Sequence, residues 1–215
     1  MSLPSHADIS WCRCAGHAVF LDLEGDRYFC LPEPLDATFR RWAAGEAIDR
    51  DAHAALVATG VADPDPTQRP QAVSFPVATR DLAHAGADRA TWNSIQAIFG
   101  QLRAKHWLRR RPLAKILRGL PTPAAPATRL PDEASLQAIA GAFATSAMIL
   151  RAADQCLPRA IATARLCWHR GLDAALILGV RLHPFAAHSW VQSGDAVVVG
   201  DLEQVRLYTP ILVLR

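Results

Sequence analysis

At 215 residues, with 51% hydrophobic and 20% charged side chains, the chain is long enough to bury a core and too apolar to stay disordered. The apolar run Ala138 to Leu150 is too short and too rich in alanine to span a bilayer. The net charge of +3 hides an uneven spread: residues 1–100 hold 8 basic and 13 acidic side chains, and residues 101–215 hold 15 and 7. No nucleic-acid motif accompanies that basic half, so neither nucleic acid nor membrane is expected as a partner.

Five cysteines, odd in number and without paired spacing, argue against a disulfide framework. Cys12 and Cys14 lie within one apolar stretch and lack the second Cys or His pair that zinc requires, so no metal and no cofactor is expected. The first residues are polar and carry no Lys or Arg, unlike a secretory signal. A cytoplasmic, reduced location is therefore expected.

In chain order, Ile9 to Cys14 is a candidate strand, and His17 to Leu23 alternates apolar and polar residues up to Glu24-Gly25-Asp26. Arg27 to Leu31 then completes a hairpin. Pro34 to Trp42 repeats Leu35, Phe39 and Trp42 at helical spacing, and Asp49 to Thr59 stops at Gly60. Four prolines between Ala62 and Pro76 mark a semi-rigid connection. The boundaries drawn are 8–64 for a front module, 65–77 for the linker and 78–215 for a rear domain. Helical material is expected from about Arg80, with Trp92, Ile95, Ile98, Phe99 and Leu102 on one face. Gln101 to Leu120 holds seven Lys or Arg and no acid, which reads as a solvated helix face. After a loop from Pro121 to Pro131, an Ala-rich helix runs from about Asp132 to Ala153.

The next segment changes character. Asp154 is a candidate N-cap, Pro158 suits a first helical turn and Gly171 suits the stop, so Cys156 falls in the first turn of a helix. Ala174 to Val180 is a continuous apolar run, read as a strand buried on both faces. His188 to Gln192 and Ala196 to Val199 flank the turn Ser193-Gly194-Asp195, and Asp201 closes the second of these strands. One further strand, interrupted by Pro210, is expected between Val205 and Leu214.

Cys156, His188 and Asp201 thus stand in the order nucleophile, base, orienting acid. A thiol attacks only as thiolate, and a helix N-terminus or a nearby imidazole depresses its pKa. The imidazole needs an acceptor that fixes its tautomer. Asp195 is the alternative acid, though it sits in the turn itself. Cys167, three turns further along the helix, reads as core. His169 is explained by the helix end, and His183 by a loop before Pro184.

These residues carry a family resemblance. Cys156-Leu157-Pro158-Arg159, Gly171, Leu178-Gly179-Val180-Arg181, Pro184-Phe185, Ala187-His188-Ser189-Trp190-Val191, Gly194 and Asp201 resemble the B proteins of lasso-peptide biosynthesis, over roughly residues 130–215. Ser189 and Gln192 depart from that pattern, which usually has Ala and an acidic residue there. The resemblance implies an α+β chain with a papain/transglutaminase-like cysteine protease domain, in which Cys156 is nucleophile, His188 base and Asp201 orienting acid. The front resembles the winged-helix-like peptide-recognition element of peptide-modifying enzymes. In that family a leader peptide adds as a strand to the sheet edge beside the last helix. By that resemblance Arg27, Tyr28, Phe29, Cys30 and Leu31 and the helix residues Ala52, Ala55 and Leu56 would hold the leader. The implied activity is removal of the leader from a precursor peptide before an ATP-dependent lasso cyclase closes the ring, so that precursor and cyclase are the expected partners. An isopeptide-forming acyltransferase of the same fold, or a non-catalytic precursor-binding chaperone, are the alternatives.

Overall fold

The computed structural model describes residues 9–82, 92–121, 132–150 and 155–215. Strands β1 (Ile9–Cys14), β2 (His17–Asp22) and β3 (Arg27–Cys30) form an antiparallel sheet in that order. Helices α1 (Glu33–Ala43) and α2 (Arg50–Ala58) cover one of its faces. The alternation of β2 dictates this arrangement, because Ala18 and Phe20 point one way and Val19 and Leu21 the other. Phe20 stacks on Phe29 at 5.1 Å and meets Phe39 of α1 edge-on at 4.9 Å. Asp36, fully buried, accepts from the Ala18 N–H and from Arg40 Nε, each at 2.9 Å, and so fastens α1 to β2. The Asp49 side chain caps α2 by accepting from the Ala52 N–H at 2.7 Å.

The other face of this sheet does not meet water. Cys12, Cys14, Val19, Leu21 and Leu23 belong to the same buried cluster as Ile161, Trp168, Leu178 and Ile211 of the rear half. Burying each of the aliphatic members is worth about 1.5–3 kcal/mol, so the rear half contributes much of what holds the front sheet. The Pro-rich connection is likewise fastened. Val73 donates its N–H to Trp11 O at 2.9 Å, and Arg69 Nη1 donates to Trp42 O at 2.6 Å.

The rear half holds a five-stranded sheet packed with helices. Its order is β4 (Arg80–Asp81), β7 (Ala196–Val199), β6 (Ala186–Ser193), β5 (Ala175–Arg181) and β8 (Thr209–Leu214). β4 runs parallel to β7 and the remaining neighbours are antiparallel. The helix expected from Arg80 is therefore corrected to a strand: Arg80 pairs with Ala196 and donates to Asp195 beyond the edge. Pro210 lies inside β8 rather than breaking it. β8 is an edge strand, where a missing N–H is tolerated, and the ladder with β5 shifts register beside it. β5 is buried from Ala175 to Val180, as its continuous apolar run requires.

Helices α3 (Trp92–Arg110), α4 (Leu113–Arg118), α5 (Glu133–Ile149) and α6 (Cys156–His169) complete the rear half, with a short α7 (Leu202–Val205) between β7 and β8. In α3 the shared apolar face is the one turned outward. Trp92 and Phe99 are each 69% exposed, and Ile95 and Leu102 are exposed too; the buried residues are Ser94, Ala97, Gln101 and Ala104. Small side chains let α6 come close: a Cβ on Gly100 would touch the Ala162 Cβ at 3.4 Å. The basic stretch is exposed at Arg103, Arg109, Arg110 and Arg111, while Leu113, Ala114, Ile116 and Leu117 of α4 are buried. No helix among the described residues is long and apolar enough to cross a membrane.

Candidate active site

α6 begins at Cys156, with Gln155 at the N-cap position; Asp154, the expected cap, lies outside the described residues. Pro158 occupies the first turn, where its missing N–H costs nothing. The helix buries Ala160, Ile161, Ala164, Cys167 and Trp168 at spacings of three and four against the sheet. Trp168 Nε1 donates to Ala174 O at 2.7 Å, tying the helix end to the start of β5. The position of Cys156 therefore follows from an ordinary amphipathic helix docked on a strand.

Half-buried Cys156 meets β6 at His188 and Ser189. Burial pushes its thiol pKa up, but the His188 imidazole and the Ser189 hydroxyl and N–H favour the thiolate and win, bringing it to about 7. The opposite holds at Cys12 and Cys167, where burial dominates and the thiols rise to about 12. Reading Cys167 as core agrees with its complete burial. Ser189, a departure from the family pattern, thus acts on the thiol. Its Oγ is buried and makes no hydrogen bond of regular geometry.

His188 is held between rings. Trp190 stacks on it at 6.3 Å and 18°, and Tyr208 lies at 5.1 Å with Arg181 over its far side. Gly179, paired with His188 in the ladder, has no room for a side chain, because a Cβ there would come within 2.6 Å of Trp190 Cζ3 and 3.1 Å of Tyr208 Cβ. Trp190 Nε1 donates to Gln192 Oε1 at 3.1 Å, and Gln192 Nε2 donates to Pro76 O and Gly194 O, each at 2.8 Å. A carboxylate at position 192 could not donate, so the amide is what lets this chain anchor its linker to the hairpin.

The structure brings Cys156 and His188 together, and among the described residues no hydrogen bond joins Asp201 to His188. Asp201 is the N-cap of α7 rather than a strand end, and its Oδ1 accepts from the Gln204 N–H at 2.9 Å. His188 Nε2 is buried without a hydrogen-bond partner. Asp195 is at the far end of the hairpin. The Thr79 hydroxyl and the Arg80 guanidinium hold its carboxyl below the usual range. His169 and His183 are both exposed, one at the end of α6 and the other in the β5–β6 turn.

For two residues named in the sequence in other roles, the closeness to the thiol went unread. Arg159, one turn along α6, has its Nε buried without a partner. Tyr28 of β3 packs at 5.6 Å from Phe185 in the β5–β6 turn. Its hydroxyl pKa is pushed up to about 12 by burial, by Asp26 and by charge on Cys156. Of the remaining leader-site candidates, Arg27 pairs with Asp22 at 2.9 Å, Phe29 stacks in the front core, and Cys30 is exposed. Leu31 and Ala52 are half-buried and Ala55 is exposed. Leu56 is corrected: it is completely buried between α1 and the front sheet and presents nothing to a ligand. A groove of about 760 Å³ with Trp11, Val61, Phe75 and Val213 among its walls lies along the linker, and none of the site candidates lines it.

The model of the transglutaminase-like superfamily matches residues 99–213. The chain belongs to the transglutaminase-like superfamily. It is also 44% identical over 45 residues to the microcin J25-processing protein McjB of Escherichia coli, a stretch covering 21% of this chain and 22% of that protein. The two findings support its place among the lasso-peptide biosynthesis B proteins that its motifs resemble. No solved structure matches.

Proposed function

We propose that this protein is a cysteine peptidase that removes the leader from a lasso-peptide precursor, with Cys156 as nucleophile and His188 as base. The observation carrying this reading is a thiol brought to about 7 at a helix start by a histidine and a serine on the facing strand. The thiolate adds to the carbonyl carbon of the last leader residue, and N–H groups of the first turn of α6 stabilise the oxyanion. The His188 imidazolium protonates the leaving amine of the core as the C–N bond breaks, leaving a leader thioester on Cys156. His188 then takes a proton from water, whose oxygen attacks the thioester and frees the leader carboxylate and the thiolate. Asp201 is proposed to orient His188, with its second carboxylate oxygen turned towards the imidazole when substrate is bound. The ATP-dependent cyclase that uses the freed amine is the proposed downstream partner.

The front module, residues 8–64 with a winged-helix-like plan, is proposed to bind the leader at the outer edge of β3. Among the described residues no strand pairs there, and main-chain groups of an edge strand accept a further strand. Tyr28 is half-buried on this strand and stands beside the catalytic cysteine, so a leader docked on β3 arrives next to the thiol.

The experiment is cleavage of a synthetic precursor in water enriched in oxygen-18, read by mass spectrometry. Hydrolysis through the thioester puts one heavy oxygen on the leader carboxylate; transfer to an amine gives a leader amide without it and would replace the peptidase reading with the acyltransferase one. A chain that binds precursor and yields neither product is a chaperone. Ala55→Arg should separate binding from chemistry. It places a long cation on the exposed side of α2 and is expected to weaken leader affinity at least about tenfold, the scale of about 1.4 kcal/mol. Iodoacetamide labelling of Cys156 should not change. Unaltered leader affinity would move the leader site away from α2.

A further inference from the structure

We propose that Gln101 is a positioning residue for the thiol chemistry: from the middle of α3 it draws the Gln155 side chain into the core and so keeps the first turn of α6, beside Cys156, free of a side-chain cap. This rests on the reading of Cys156 as nucleophile.

Gln101 is the one long polar side chain on an inward face otherwise made of Ser94, Ala97 and Ala104. It is completely buried, Ser146 of α5 is too, and Gln155 is 7% exposed. Gln101 Nε2 donates to Gln155 Oε1 at 2.9 Å, and Ser146 Oγ lies 3.2 Å from Gln101 Oε1 and 2.8 Å from Phe143 O, either of which can take its proton. A buried polar chain across three helices is not what helix packing alone asks for. Apolar side chains of similar volume in its place are often neutral or stabilising, whereas losing one partner strands the others.

The end of the chain explains it better. Gln155 immediately precedes Cys156, and its backbone carbonyl already accepts the first helical bond, from the Arg159 N–H at 3.0 Å. A side-chain carbonyl at the N-cap position can fold back onto the N–H groups two or three positions on. Gln155 makes no such bond, and its side-chain oxygen is given to Gln101 instead. Pro158, the third helical residue, has no N–H to offer. The donors left for a developing oxyanion in this turn are the N–H groups of Cys156 and Leu157, and a side chain folded onto the latter would compete with the substrate. Gln101 therefore has two effects: it removes the competitor, and it fixes the residue that carries the nucleophile.

The test compares two reactions of the same thiol in the full-length protein. Iodoacetamide is attacked at a saturated carbon and needs no oxyanion donor. A short peptide aldehyde forms a hemithioacetal whose oxygen does need one. Gln101→Met keeps length and volume and removes both hydrogen bonds. Alkylation at pH 7 should stay within about twofold of wild type, while aldehyde affinity falls about tenfold and cleavage loses kcat by a like factor at unchanged KM; loss of a direct donor would cost about 10²–10³. Equal loss in both reactions, or loss in neither, overturns the inference. Should Gln101→Met fail to fold, Ser146→Ala decides on the same comparison, with a smaller excess loss in the aldehyde reaction expected and equal rates overturning. A wild-type chain that reacts with neither reagent at Cys156 refutes the nucleophile itself, a result distinct from any of these.

Discussion

Cys156→Ala should reduce leader cleavage to background, and His188→Ala should match it, while precursor binding stays within about twofold of wild type. In a nucleophile–base pair that acts as a unit, loss of either member costs on the order of 10⁶ in kcat. Binding is spared because the proposed leader surface is the outer edge of β3, two residues of which, Arg27 and Cys30, are exposed and distinct from the proposed catalytic pair. Neither substitution threatens the fold: Cys156 is half-buried at a helix start and His188 is half-buried between rings. Asp201→Asn is the informative third variant. Asn caps a helix as well as Asp, so α7 should keep its bond to the Gln204 N–H and only the carboxylate charge is lost. A fall of about 10⁴ is the scale set by the corresponding change in a Ser-His-Asp triad. Wild-type turnover in Asp201→Asn would leave Asp201 as a cap and nothing more. Wild-type turnover in Cys156→Ala would remove the peptidase mechanism altogether.

What the sequence made legible depended on whether the signal was local. β2 alternates, α2 is bracketed by Asp49 and Gly60, and Cys156 sits two residues before a proline, so strands, caps and the helix-start position of Cys156 could all be read. The inward face of α3 could not. Periodicity tells which residues share a face, not which face is covered, and here Ala97, Gly100 and Ala104 admit α6 at a distance that Trp92 or Phe99 would forbid. The mistaken position of Asp201 had a readable remedy. Asp201 and Gln204 stand at capping-box spacing, which marks a helix start as clearly as an apolar run marks a strand. The closeness of Tyr28 and Gln101 to Cys156 had no such signal. Each meets the site across more than fifty residues of chain, and only the continuous core joining front sheet, α3 and α6 brings them there.

The pH dependence of alkylation should divide the five thiols more sharply than any substitution. Thiolate is the reactive form, so each rate rises with pH up to that group's own pKa and then levels. With Cys156 at about 7 and Cys12 and Cys167 at about 12, iodoacetamide at pH 7 meets Cys156 half ionised and the other two ionised to about one part in 10⁵. Both of those thiols are also completely buried, so they should label only on unfolding. Cys30 is exposed, but its thiol is held up by burial of part of the side chain and by Asp36 and Cys14, so it should trail Cys156 at neutral pH and gain on it in alkali. The midpoint of the Cys156 profile should rise in His188→Ala and, by less, in Ser189→Ala, since the imidazole is the first of the groups that lower it. Loss of cleavage should track the extent of labelling at this one site. A Cys156 midpoint above about 8.5, the value of a free cysteine, would show that desolvation outweighs the imidazole, and the thiolate mechanism would fall with it.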